Sequence, residues 1–388
     1  MEARLMFPAK EAGPILDADD PLGHQTAQRA ARPAFADVEG GGIFTERFWY
    51  MGTNAPAGDI VFGAGLGYYP NRGVMDGYAG VTIEGVQYAF RGSRRLGAAP
   101  FETRIGPMTI DVVRSMRWHR IELAANDSAL AMHLEYTAAF EPNDEGLDTL
   151  EKEGRLVSQV SRFVQMGHFT GWIEVNGRRH EFGSGNPLWG ARDRSWGLRL
   201  ESRTDESHPP VTRFRPLLFM WACAQFEQSA IHFFLKESAP GVVRFVVGDE
   251  TFAVGSGTAS RKVSRVEHDI EWSADPYSQF IAGGRFVLHF EDGTQKTMRM
   301  RALPGKFFLK AGLYGGYRGW FQGDDKGPLH MSQVRWDLAD PETRRELRTL
   351  AEQPMEFDVD GRLGFGTIQG GVAAGYSKYH EVQHLPVM

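Results

Sequence analysis

Three groups of residues combine ionisable and aromatic side chains closely enough to do chemistry. The densest runs from Gly185 to Arg199 and holds Trp189, then Arg192-Asp193-Arg194-Ser195-Trp196-Gly197. Alternate residues of a β-strand share a face, so Arg192, Arg194 and Trp196 point one way and Asp193, Ser195 and Gly197 the other. Inside a β-barrel the Asp193 carboxyl would be desolvated, its pKa would rise, and it would suit general acid or base work near neutral pH. The small Ser195 and Gly197 leave room for a ligand beside it. The competing reading makes Asp193 half of a structural ion pair with a nearby arginine, and Trp196 a core residue.

His168 lies in Gln165-Met166-Gly167-His168-Phe169. An Asn176-Gly177 turn connects its strand to the one bearing Asp193. A His and an Asp on adjacent strands can share a proton, which makes His168 the candidate partner base. Bland readings are a hydrogen-bonded core or rim histidine. Tyr376, Tyr379 and Glu381, in Tyr376-Ser377-Lys378-Tyr379-His380-Glu381, are the C-terminal counterpart and offer donors and a base. Trp172, Trp189 and Trp196 are candidate walls of a substrate cavity.

Other chemistries find little support. His380, Glu381 and His384 have helical ligand spacing in a stretch that reads as strand, so no metal is expected. Gly63-Ala64-Gly65-Leu66-Gly67 lacks the spacing and the following helix of a phosphate loop. Ser195 sits in no nucleophile elbow. Cys223, the single cysteine, reads as a buried apolar residue and excludes an intrachain disulfide. A net charge of -6 without a basic cluster argues against nucleic acid and anionic lipid. No apolar run is long enough for a membrane span. Met1 to Pro8 has no apolar core region of a secretory leader, so a cytoplasmic location is expected. No cofactor is implied, and self-association is left open.

The elements that must position these residues are strands. The 388 residues suggest two domains, and 46 glycines with 26 phenylalanines favour strands and turns over helices. Residues 1–40 read as an arm, with a short helix at Ala27–Arg32 and a hinge at Gly40-Gly41-Gly42. Hairpin turns are expected at Glu84-Gly85, Asn176-Gly177, Asp292-Gly293 and Asp360-Gly361. Asn143 to Arg155 reads as an acidic loop, and Glu201 to Pro210 as a linker. Asp340-Pro341-Glu342 caps the best helix, expected to reach about Gln353. The strands restart after the linker, which divides the chain into an arm at 1–40 and barrels at 41–205 and 206–388.

Gly171-Trp172-Ile173-Glu174-Val175-Asn176-Gly177, Gly183-Ser184-Gly185 and Arg192-Asp193-Arg194-Ser195-Trp196-Gly197 resemble a family of bacterial proteins related to hydroxyneurosporene synthase, a carotenoid hydratase, and to AttH-like proteins. Glu46-Arg47-Phe48-Trp49-Tyr50 and Pro70-Asn71-Arg72-Gly73 fit the same family. The resemblance implies an all-β fold of two consecutive lipocalin-like antiparallel β-barrels. It also implies a proton-donating role for Asp193, with His168 as a looser match to an assisting histidine. Arg192 and Arg194 depart from the hydratase's aromatic, His-rich setting and imply a more polar substrate. Facing Asp193, they would lower its pKa and favour a carboxylate base. The expected function is a cofactor-independent lyase, a hydratase or dehydratase in the broad sense. Its substrate would be a hydrophobic isoprenoid, steroid or aromatic small molecule, lined by Trp172, Trp189, Arg192, Arg194, Trp196, Tyr376, Tyr379 and Glu381. The rival function is a lipocalin-like carrier of a lipophilic ligand.

Overall fold

The structure, a computed structural model, describes residues 5–6, 15, 17–23, 43–152, 155–199, 217–348 and 350–385. The expected helix at Ala27–Arg32, the Gly40–Gly42 hinge and the linker at Glu201–Pro210 lie outside the described residues.

Two antiparallel sheets, each rolled into a barrel, make up almost all of the fold. The first runs in the order Leu329–Asp337, Val86–Arg95, Val74–Ile83, Val61–Tyr69, Ile43–Asn54, Leu188–Arg199, Arg155–Val175, Leu130–Ala138, Trp118–Leu123, Met108–Arg114 and Arg104–Ile105. It is nearly closed. The second runs from Gln295–Ala302 through Ile281–Phe290, Arg261–Trp272, Val242–Phe252, Ser229–Ala239, Leu218–Gln225 and Arg362–Val372 to Ala351–Val359, which pairs back onto Gln295–Ala302 and closes the ring. The ladder is thinnest between Val242–Phe252 and Arg261–Trp272, which pair only at Asp249–Lys262 and Glu250–Arg261. One strand of the C-terminal half, Leu329–Asp337, pairs with Val86–Arg95 in the first sheet.

The turns follow the chemistry of the sequence. Asn176 and Gly177 have φ of 52° and 77°, and Asp360 and Gly361 have 55° and 79°, as two-residue primed turns require. They fix Val175 opposite Arg178 and Val359 opposite Arg362. The helix is shorter than expected, Pro341–Leu347, with the Asp340 carboxylate capping the N–H groups of Glu342 and Thr343. The next residues form the strand Ala351–Val359 because Met355, Phe357 and Val359 alternate into the second barrel's core. Asn143–Lys152, expected as a loop, is a strand paired with Arg155–Val175. The Tyr376–Glu381 stretch, expected in a closing strand, follows the end of Arg362–Val372 and leads into a short 3-10 turn, His380–Val382. Among the described residues no helix is long and apolar enough to cross a membrane.

Apolar side chains collect in three main places. One core fills the first barrel around Tyr50, Phe62, Tyr136 and Phe169, and another fills the second around Phe233, Phe286, Met355 and Ile368. A third lies between the barrels and contains Trp49, Val164, Ala191, Trp221, Cys223 and Phe307. Cys223 is buried there, as a small apolar residue. This third core makes both faces of Leu188–Arg199 buried, and it decides where the site lies.

Candidate active site between the barrels

Leu188–Arg199 sits mid-sheet, between Arg155–Val175 and Ile43–Asn54, and every residue from Leu188 to Leu198 is paired on both sides. The alternation divides its side chains as the sequence predicts, with the two faces exchanged in meaning. Arg192, Arg194 and Trp196 are fully buried inside the first barrel or at its end. Asp193 and Ser195 point outward, toward the second barrel.

The inward arginines are structural. The Arg192 guanidinium donates to Asp20 at 2.6 Å and 3.2 Å and to Gln165 at 2.8 Å and 3.1 Å. His119 Nε2 lies 3.0 Å from the same Asp20 carboxylate, and His119 Nδ1 lies 2.7 Å from the Tyr50 hydroxyl. Burial alone would raise the Asp20 pKa, yet Arg192 and His119 outweigh it and hold the carboxyl below the usual range. Arg194 pairs with Glu46 and donates to the Asp20 and Pro21 carbonyls. The ion pair that the competing reading gave to Asp193 belongs to its neighbour, with a partner 172 residues away. The arginines do not face Asp193, so the condition under which they would lower its pKa is not met.

Asp193 instead lines a cavity of about 160 Å3 between the barrels. From the first barrel come Arg47, Trp49, Arg162, Ser195 and Arg199; Phe219, Trp221, Phe234 and Gln369 come from the second, and Leu309, Tyr314 and Leu350 from the segments joining them. The Asp193 carboxylate accepts from the Ser195 hydroxyl at 3.2 Å, and Arg199 donates to that hydroxyl at 2.7 Å. Burial and the Glu145 charge push Asp193 up to about 6, against the pull of Arg162, Arg199 and Ser195. Glu145 itself is ionised: Trp221 Nε1 donates to it at 2.7 Å, His232 Nε2 lies at 3.0 Å, and Arg162 at 3.3 Å.

A second carboxyl, Glu352, is fully buried just behind the Gln369 wall. It accepts from Gln369 Nε2 at 2.6 Å and from the Thr367 hydroxyl at 3.1 Å. Burial, with the Asp193 charge in the same direction, pushes it up to about 8 despite those bonds. Tyr314 is pushed up to about 12 by burial. At neutral pH the cavity lining thus carries Asp193, raised to about 6, and the neutral Tyr314 phenol, with the protonated Glu352 one layer behind Gln369. Such a concentration of displaced titrations at one cleft makes it the candidate site. Nothing in the sequence singled out Glu352, because the expected helix covered it. The alternation of Met355, Phe357 and Val359 was the available signal for its strand. Among the described residues no group of three or more His, Cys, Asp or Glu is arranged to hold a metal ion.

The sequence model of one protein family spans residues 15–376. The chain belongs to that family, a family of unknown function (DUF8625). No curated protein matches it in sequence. Among solved structures, the DUF8625 chain is similar to an AttH-type protein from Nitrosomonas europaea, with a TM-score of 0.51 at 12% identity over 90% of this chain and 99% of that one. The likeness is one of fold, an AttH-like pair of lipocalin-like barrels. CghA with Sch210972 (TM-score 0.46, 11% identity, 85% and 88% covered) and kievitone hydratase from Nectria haematococca (0.40, 9%, 96% and 97%) are further structural neighbours.

In the DUF8625 chain the other expected site residues scatter. His168 does not meet Asp193. It is opposite Trp189, whereas Asp193 is opposite Val164. Four residues along a strand separate the two by about 13 Å. His168 contacts Gln225 at 2.7 Å and the Trp189 ring edge-on, and burial lowers its pKa. Trp189 packs on Phe365 of the second barrel, at the barrel contact and outside the cavity lining. Trp172 lies under the Arg179 guanidinium at 3.9 Å, away from the cavity. Tyr376 and Tyr379 belong to the second barrel's interior: Tyr376 bonds Glu237, and Tyr379 lies 2.8 Å from His268 Nδ1. Glu381 is exposed.

Proposed function

We propose that this chain is an acid–base enzyme of the lyase type, broadly a hydratase or dehydratase, working in the cavity between its barrels. Asp193, at the cavity wall, is the carboxylate base, and Glu352 is the neutral acid, acting from behind Gln369 through that side chain. Trp49, Trp221, Phe219 and Phe234 hold the apolar body of a small substrate, and Tyr314 supplies a further hydroxyl. One observation carries the reading: Asp193 lines a cavity between the barrels and Glu352 is buried just behind its Gln369 wall, in environments that separate their titrations, to about 6 and about 8. Such a pair divides into base and acid at neutral pH. Addition or elimination of water needs these two roles and a dry pocket, with no redox partner. The resemblance around Asp193 to the hydroxyneurosporene synthase branch points to the same residue but implies a proton donor there; in this proposal Asp193 is the base and the donor's part passes to Glu352. The carrier reading would put a ligand inside a barrel, and both interiors are packed with side chains and ion-pair networks.

The test is ligand capture followed by turnover. Wild type and Asp193→Asn are exposed to a small-molecule extract, the captured compound is identified by native mass spectrometry, and each protein is incubated with it in D2O. The proposal expects carbon-bound deuterium or added water with wild type, and a loss of at least 100-fold in Asp193→Asn with binding retained. Equal turnover by the two proteins would sink it.

A further inference from the structure

The cavity is unusually cationic for a pocket that is expected to take an apolar molecule. Arg47, Arg162 and Arg199 all line it. Arg162 is matched by Glu145 and Asp148, each at 3.3 Å. Arg47 and Arg199 are not. Among the described residues no carboxylate comes within 4.0 Å of either, and the Nε atoms of both are buried without a partner. Two guanidiniums carry ten N–H donors; among the described residues Arg199 donates to Ser195 Oγ at 2.7 Å and Arg47 is drawn to the Tyr69 hydroxyl, which leaves most of the ten open. Arg47 lies 5.9 Å from the centroids of both Tyr69 and Tyr314, and Asp76 stands beyond it with its carboxylate accepting the Gly323 N–H at 2.6 Å. Burial, together with the charges of Arg47 and Arg162, pushes Arg199 down to about 9, more than Asp193 can offset.

We infer that Arg47 and Arg199 clamp one anionic group of the substrate, a carboxylate, while the aromatic walls take a single ring beside it. This rests on the acid–base reading for the word substrate; the clamp itself rests on the open guanidinium donors. Guanidinium forks match a planar carboxylate with two parallel N–H bonds. A volume of about 160 Å3 is of the size that holds one aromatic ring. The substrate class is therefore a small aryl or aryl-alkenyl acid. Its carboxylate fills the donors that the protein leaves open, and its ring lies against Trp49 and Trp221, which meet edge-to-face at 5.5 Å.

Calorimetric titration of the full chain with benzoate, phenylacetate and trans-cinnamate, each against its primary amide, tests the clamp. At least one acid is expected to bind at least tenfold more tightly than its amide. Arg199→Gln and Arg47→Gln should each remove that preference, and Arg199→Lys should keep part of it, with circular dichroism confirming the fold. The clamp is overturned if no acid binds, if amides bind as well as acids, or if both Gln variants keep the preference. Asp193→Asn separates the two claims. If it keeps acid selectivity and full turnover, the acid–base reading fails and the clamp stands. If turnover depends on Asp193 in a cavity blind to acids, the clamp alone fails.

Discussion

Replacing Glu352 by Gln should make the protein more stable at alkaline pH and no more stable at acid pH. Glu352 is wholly buried and titrates near 8 in the folded chain, against an ordinary value of 4.5. A raised folded pKa means that the folded state holds the proton more tightly. Below 4.5 both states are protonated and nothing is lost. Between 4.5 and 8 the unfolded chain ionises while the folded one does not, so stability falls as pH rises, and it levels off above 8. Each pH unit costs about 1.4 kcal/mol, so the full loss is on the order of 5 kcal/mol. Gln cannot ionise and escapes this loss. It keeps an acceptor for Gln369 or Thr367 and forfeits one such bond, about 1 kcal/mol. The variant should therefore be slightly less stable than wild type at pH 5 and more stable by roughly 4 kcal/mol at pH 9. Urea unfolding of both proteins at pH 5, 7 and 9, followed by tryptophan fluorescence, measures the difference. Parallel pH curves would refute the reasoning, since they would mean that Glu352 is ionised or solvated in the folded chain.

Three further outcomes follow from the same geometry. Asp20→Asn leaves Arg192 buried without its carboxylate and should cost about 3–5 kcal/mol in urea unfolding. Because the folded Asp20 pKa is depressed, wild type should lose that stability as pH falls below about 4, and Asp20→Asn should show less acid sensitivity. Gly190→Ala would put a methyl group 1.9 Å from the Met51 carbonyl oxygen, so the two central strands must part; a loss of roughly 3 kcal/mol is expected by thermal unfolding. Glu145→Gln removes the charge that helps hold the Asp193 pKa up, so the acid limb of any Asp193-dependent activity should move to lower pH, read from a pH–rate profile.

Much of this fold is legible in local patterns. Asn176-Gly177 and Asp360-Gly361 declare their turns because few other residues accept positive φ at both positions. The alternation through Arg192, Asp193, Arg194 and Ser195 is visible for the same kind of reason, since the period of a strand is two. Which face is inside is not visible. In an isolated barrel the outward face would meet water, but here a second barrel covers it, so both faces carry buried charge. The partner of Arg192 lies 172 residues away, and nothing local identifies it. Glu352 was hidden by a strong helix start at Asp340-Pro341 and by a burial that comes from the other barrel. His168 looked close to Asp193 because their strands pair, yet register separates them by four positions.

The central claim is that Asp193 at the cavity wall is ionised and Glu352 behind it is protonated at neutral pH. Difference infrared spectroscopy of wild type against Glu352→Gln and Asp193→Asn, across pH 5 to 9, reads this without a substrate. The account predicts a protonated-carboxyl stretch at pH 7 that Glu352→Gln abolishes and that fades in wild type near pH 8. It predicts a second such band, lost in Asp193→Asn, that grows as pH falls through about 6. Wild type with no protonated-carboxyl band at pH 7 would contradict it.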